Sequence, residues 1–338
     1  MGTVHAGPAA LAVGVDIGGT KVAAGAVDDQ GRVVTEVRRE TPGRSTRPRV
    51  VEDLIVAEVQ SVLRHPLVVD RPVVGVGIGA AGFVSADRGT VVFSPHLSWR
   101  DEPLRSRLRD RLGLPVTLDN DANAAAWAEF RFGAGAGEPR LLMVNLGTGI
   151  GGGLVMDGRV ERGRHGMAGE YGHMVVVPHG RRCECGNRGC WEQYASGSAL
   201  RREARERLQA GGPYVAALAA RCGGRVELLR GEDVTELARE GDEACREIVA
   251  DVGEWLGLGL ANLVAALDPG TIVVGGGVST AGELLLGPAR ESLTRHLTGR
   301  GHRPTAPVRA ASLGPWAGLI GAADLARADH ALPGAGST

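Results

Sequence analysis

The sequence predicts an α/β protein with a duplicated core, its two similar halves facing each other across a cleft. Two observations carry most of this expectation. An apolar strand that ends in a polar residue and a Gly/Thr turn occurs twice. Residues 11–15 with Asp16 lead into Ile17-Gly18-Gly19-Thr20-Lys21, and Val144-Asn145-Leu146 leads into Gly147-Thr148-Gly149. In both copies a second apolar strand follows, residues 22–27 and 154–156, and closes at a polar, glycine-containing turn. An internal repeat of this kind implies two related domains. The third observation is length: 338 residues suffice for two domains at roughly 100–200 residues each.

Bulk composition narrows the function classes. Hydrophobic residues make up 43% and the formal net charge is −1, so a core is available and no polyanion partner is indicated. Aromatics are only 4%, which argues against base-stacking platforms. Much of the glycine lies beside apolar strands, a pattern that suits tight phosphate-binding turns better than disorder. Residues 1–8 lack signal-peptide character and no apolar run reaches the ~18 residues of a membrane span. A cytoplasmic protein with no membrane or nucleic-acid partner is expected, with residues 333–338 as a frayed tail.

Taken in order, the first glycine turn offers backbone N–H groups to a phosphate, and Asp16 can hold a metal-bound water. It is not a Walker loop, which needs a helix directly after it. On this turn alone an ordinary hairpin remains an equal reading; the second copy favours phosphate binding. Residues 51–63 read as an amphipathic helix and 73–78 as a buried strand. Gly77-Ile78-Gly79-Ala80-Ala81-Gly82 matches the dinucleotide fingerprint in letters, but residues 83–92 read as a hairpin where that fingerprint needs a helix. Residues 104–112 read as a helix and 116–118 as a strand, ending in Asp119-Asn120-Asp121-Ala122-Asn123 before a helical run at 124–130. One of these polar residues caps the helix. An Asp at such a junction sits where the helix dipole favours the anion, which suits a base that starts ionised.

Residues 169–192 concentrate metal-binding chemistry. Cys183, Cys185 and Cys190 stand at Cys-x-Cys-x4-Cys spacing, with His173 ten residues before the first. Three thiolates and an imidazole make a closed tetrahedral set for structural zinc. The Gly186-Asn187-Arg188-Gly189 knuckle has no core of its own, so a metal accounts for its folding. Free cysteines or a disulfide plus a spare thiol are the alternatives. Beyond the knuckle, 198–209, 215–219, 232–239 and 242–267 read as helices. A strand at 271–274, the Gly275-Gly276-Gly277 turn and a helix at 282–297 follow, with a last helix at 316–327. The third glycine turn could pass beneath a flat adenine.

These segments, in this order, resemble the ROK family of bacterial sugar kinases, most closely its ATP-dependent glucokinases, over roughly residues 13–324. The resemblance rests on Asp16 to Lys21, Leu146 to Gly153, Gly169-Glu170-Tyr171-Gly172-His173, the Cys183 to Glu192 knuckle and Val274 to Val278. It implies a two-lobed ribonuclease-H-like (actin-like ATPase) fold, with a small lobe of 13–121 plus 318–332 after a flexible extension at 1–12. The large lobe would be 122–317 with its zinc knuckle at 173–190. It implies glucose and MgATP as substrates, structural zinc, and a homodimer or homotetramer. Asp121 would take the proton of the hexose 6-hydroxyl, with Asn120, Glu170, His173 and Glu192 on the other hydroxyls. Zinc would be held by His173, Cys183, Cys185 and Cys190. Nucleotide would lie on Asp16, Gly18, Gly19, Thr20, Lys21, Gly147, Thr148, Gly149, Gly276 and Gly277. Two residues depart from the family pattern: Ala81 where many members carry Pro, and His96 where many carry Asn. Both bear on which hexose is taken, so another hexose or an N-acetylhexosamine remains as acceptor, and polyphosphate as donor. The family also contains sugar-sensing repressors, whose N-terminal DNA-binding helices are not expected in the dozen residues before the first strand.

Overall fold

The computed structural model describes residues 9–330. The tail expected at 333–338 and the first eight residues of the expected extension lie outside the described residues. The chain divides into two compact units, one of residues 1–137, 153–169 and 315–338, the other of residues 138–152 and 170–314.

The first unit begins with an antiparallel ribbon, β1 (Leu11–Ile17), β2 (Lys21–Val27) and β3 (Val33–Glu40), with the first glycine turn joining β1 to β2. Helix α1 (Pro48–Leu63) has proline in its first turn, where no backbone donor is needed. It buries Val51, Ile55, Val59 and Val62, which share one face by helical spacing. Strand β4 (Val73–Ala80) then lies parallel to β1. It runs through the Gly77–Ala80 segment and is followed by strands β5 (Phe83–Val84), β6 (Val91–Phe93) and β7 (Arg100–Glu102), a small separate sheet. No helix follows the fingerprint-like letters, as the sequence reading required. Helix α2 (Leu104–Leu112) stops at Gly113, whose φ of 65° is the left-handed conformation of a glycine C-cap. Strand β8 (Val116–Asn120) pairs parallel with β4 and leads directly into α3 (Asp121–Phe132). The strand order is β3-β2-β1-β4-β8. Register places Asp16 beside Gly79 and Ala80 beside Asn120, so these residues share the carboxyl ends of neighbouring parallel strands. Open α/β sheets bind ligands at that edge.

The repeat read from the glycine turns is a repeat of topology. Strands β9 (Arg140–Leu146), β10 (Ile150–Met156) and β11 (Arg159–Val160) repeat the ribbon. After α4 (Glu192–Ala195), α5 (Gly197–Ala210), α6 (Ala216–Arg221), α7 (Gly231–Glu240) and α8 (Glu243–Leu267) comes β12 (Thr271–Gly275). Helix α9 (Glu283–His296) and β13 (Val308–Ala310) complete a sheet of order β11-β10-β9-β12-β13, the counterpart of the first. By length and composition α8 could cross a membrane, but Ile248, Val252, Leu256, Leu260 and Leu263 are buried in the second unit. Its Gly253 and Gly257 bring it against α9: a Cβ would lie 2.5 Å from Leu285 O and 2.2 Å from Ala289 O.

The last helix, α10 (Ala317–His330), packs on β1, β4 and α3. The approach is backbone to backbone. A Cβ on Gly77 would lie 1.7 Å from Ala322 O, and one on Gly321 1.7 Å from Ala124 O. Neither carbonyl can move without dislodging a helix. Gly77→Val is therefore expected to cost about 3 kcal/mol or more in denaturant unfolding, whereas Gly43→Ala, with nothing within 4 Å of its Cβ, is expected to be nearly neutral. Equal stabilities for the two variants would contradict this packing.

Candidate functional site

In the first unit the Gly18-Gly19-Thr20 turn is clamped by the end of the ribbon. Gly18 N–H donates to Lys21 O at 2.9 Å, and Thr41 donates through Oγ1 to Gly18 O (2.8 Å) and through N–H to Thr20 O (3.0 Å). Gly19, Thr20 and Lys21 are exposed on this rigid turn. The ring of His96 closes on it: a Cβ on Gly19 would lie 2.9 Å from the imidazole, so a larger residue there would have to push the ring aside.

Asp16, next to last in β1, is covered by α10. A Cβ on Gly318 would lie 2.7 Å from its carboxyl carbon. Burial, and then the negative charge of Asp121, push Asp16 up to about 7, partly offset by Arg38, whose guanidinium stacks 3.9 Å from the Trp316 ring. The unfolded value is near 3.8, so the folded chain holds more protons between those values. Stability from this group is present at low pH and lost as pH rises towards 7. The free protein is expected to lose up to about 3 kcal/mol between pH 5 and pH 8, and Asp16→Asn to flatten that dependence. Parallel pH curves for the two proteins would remove Asp16 from this role.

The polar run at 119–123 separates into distinct tasks. Asp119 is buried and takes Arg162 through Nε (2.8 Å) and Nη2 (2.5 Å), with Asn123 Nδ2 at 3.2 Å. Asn120 caps α3, accepting from Ala122 and Asn123 N–H at 2.8 and 3.1 Å, and donates through Nδ2 to Gly82 O at 3.1 Å. Asp121, in the first turn of α3, has one carboxylate oxygen accepting from Ala122 N–H at 2.9 Å. It keeps part of its surface open, yet desolvation by the surrounding protein raises its pKa against the opposing pull of that N–H and of His96. The result is a carboxylate more basic than usual, on a fixed helix end.

In the second unit His173, Cys183, Cys185 and Cys190 bring their ligand atoms within 4.8 Å of one another. His173 Nδ1 is 3.7 Å from Cys183 Sγ, and Cys185 and Cys190 sulfurs are 3.6 Å apart. Tetrahedral zinc at its usual bond lengths separates its ligand atoms by about 3.5–3.8 Å. The donor set and spacing fit zinc, the 3.6 Å between the Cys185 and Cys190 sulfurs being a separation of metal ligands rather than of bonded sulfurs. The other face of His173 turns to Glu170, Nε2 to Oε2 being 3.9 Å. Glu192 Oε1 lies 3.0 Å from Cys183 Sγ, and Oε2 is 3.4 Å from Ile150 N–H. Glu170 and Glu192 thus flank His173, at 3.9 and 3.6 Å.

Glu192 also ties the knuckle to the second glycine turn. A Cβ on Gly149 would lie 2.4 Å from Glu192 Oε2, and Gly197 N–H donates to Gly147 O at 2.8 Å. Gly276 has φ 84° and no room for a Cβ against the Leu146 backbone, 2.4 Å away, while Gly277 stands in open space. The Gly147-Thr148-Gly149 and Gly276-Gly277 turns are therefore neighbours within this unit. Sequence reading missed Arg162 and Thr41. Arg162 is one of 38 basic residues with no local pattern, and Thr41 lies after a strand whose charged residues hid it.

The model of the ROK family matches residues 12–329. A curated glucokinase from Streptomyces coelicolor is 45% identical, covering 94% of this chain and 98% of its own length. A crystal structure of a ROK family glucokinase from Streptomyces griseus in complex with glucose and AMPPNP superposes with a TM-score of 0.86 at 47% identity, over 94% of this chain and 99% of that one. A xylose repressor from Caldicellulosiruptor bescii is 33% identical over 73% of this chain and 60% of its own.

Proposed function

The chain belongs to the ROK family, and from that membership we propose that it is a glucokinase, an ATP-dependent sugar kinase moving the γ-phosphoryl of MgATP to the 6-hydroxyl of D-glucose. Its duplicated α/β core is the ribonuclease-H-like core of actin-like ATPases. The observation that carries the reading is Asp121. Its neighbours Asp119 and Asn123 are committed to structural bonds, the side-chain oxygen of Asn120 is spent on the α3 cap, and the raised pKa of Asp121 moves it towards that of an effective general base near neutral pH.

In this reading Asp121 accepts the hydroxyl proton as the oxygen attacks phosphorus. Asn120, Glu170, His173 and Glu192 bind the remaining hydroxyls. Phosphoryl transfer needs positioning and charge neutralisation more than covalent chemistry. The turns at Gly18-Gly19-Thr20-Lys21 and Gly147-Thr148-Gly149 are assigned to the phosphates, and Gly276-Gly277 to the adenosine. Asp16 would orient the metal of MgATP through water. Zinc on His173 Nδ1 and the three cysteines would fix the imidazole tautomer and leave Nε2 for the sugar. A homodimer or homotetramer is the proposed assembly.

The test is ADP release from MgATP over a panel of glucose, mannose, fructose, N-acetylglucosamine and N-acetylmannosamine. Strong turnover on glucose supports the proposal. Turnover confined to an N-acetyl sugar would keep the kinase and move its acceptor, making Ala81 and His96 the residues to exchange. Sugar binding without turnover would favour a sensor, the role named by the xylose repressor relative.

A further inference from the structure

Behind the knuckle, wholly within the second unit, lies a cavity of about 300 Å³ lined by residues that include Arg181, Tyr194, Arg202, Glu203, Asp251 and Trp255. Its size is at the lower end for small-molecule sites. One wall is aromatic: the Tyr194 and Trp255 ring centroids are 4.7 Å apart.

The charges around it are unequally satisfied. The three acids that line it are each paired with an arginine that does not, Glu203 with Arg207 at 3.2 Å, Asp251 with Arg207 at 2.8 Å, and Glu254 with Arg295 at 3.7 Å. Arg181 grips Glu206 with two bonds of 3.1 and 3.2 Å. Arg202 is left with a long 4.0 Å contact to that same Glu206 and a bond from Nη2 to the Gln193 carbonyl. Its buried Nε has no hydrogen-bond partner among the described residues. Burial, followed by the charge of Arg181, disfavours its protonated form. A guanidinium that has not spent all its donors can take an oxyanion, and the ring pair that lines the same cavity supplies aromatic surface for a flat ligand.

We propose that this cavity binds a small aromatic oxyanion, a flat ring lying on Trp255 with its phosphate or carboxylate on Arg202, and that the ligand adjusts sugar affinity. The link is α4, a single turn that carries Glu192 towards His173 and Tyr194 into the cavity. Binding stands independently of the kinase reading; the effect on sugar affinity rests on it.

The test uses the full zinc-replete chain without sugar or nucleotide, titrated calorimetrically with phenyl phosphate, benzoate and inorganic phosphate. The expected result is saturable binding of one or both ring compounds, with inorganic phosphate at least about tenfold weaker. Phenyl phosphate alone would identify the headgroup as phosphate, benzoate alone as carboxylate. Arg202→Gln and, separately, Trp255→Leu are each expected to weaken binding at least about tenfold, and Arg202→Lys to recover part of it. Circular dichroism identifies any variant that fails to fold, and the remaining one then decides. No binding of either ring compound at 10 mM, roughly the weakest useful affinity, or unchanged binding in the folded variants, would overturn the site. With the site saturated, apparent KM for glucose is expected to shift at least about twofold with kcat little changed. An unchanged KM would overturn the control role.

Discussion

Replacing Asp121 by asparagine is expected to lower kcat by about 10²–10⁴-fold while glucose binding is kept. The substitution suits the question because asparagine retains the oxygen that accepts the Ala122 N–H, and Asn120 still caps α3. Fold and helix end therefore survive, and only the proton acceptor is lost. Steady-state kinetics with calorimetric glucose binding separates the two effects. Wild-type turnover in this variant would remove Asp121 from the chemistry, and loss of glucose binding with normal secondary structure would make it a binding residue first.

The second large effect is expected from Cys185→Ser. Cys185 is exposed, so losing its sulfur costs little packing, and any fall in stability reports the metal. Structural zinc contributes about 10–16 kcal/mol in small zinc domains. Losing even a quarter of that would lower the Tm by roughly 5–15 °C in a unit of this size. Zinc content by atomic absorption should fall with it, whereas Cys222→Ser, a buried thiol outside the cluster, should keep its zinc. Full zinc, stability and activity in Cys185→Ser would contradict the assignment. Weakened glucose binding is expected as well, because Cys183 and His173 touch Glu192, and a loosened knuckle releases both.

Legibility followed the range of the interactions. The glycine turns, the helix start at Asp121 and the Cys/His knuckle are local: a tight turn, a cap or a metal ligand set imposes residue types a few positions apart. The strands and helices with strong apolar periods were equally readable. Strands β3, β7 and β13 were not, because β3 and β7 carry several charges and β7 and β13 are only three residues long. Such strands exist because a neighbour offers hydrogen bonds, which their own letters do not advertise.

Pairings between distant residues decide the rest. Among the four polar side chains at 119–123, spacing alone marked a cap and a base, and the family resemblance named Asp121 as that base; the fold adds that Arg162, forty-three residues on, pairs with Asp119. His96, read as a departure from a family pattern, proves to be what closes on Gly19. The pKa of Asp16 near 7 depends on α10 and on Asp121, neither adjacent to it in the chain. Residue chemistry at short spacing was thus written in the sequence. Burial, charge proximity and the division of labour among like residues came only with folding, because desolvation and Coulomb terms depend on distances in space that chain order does not specify.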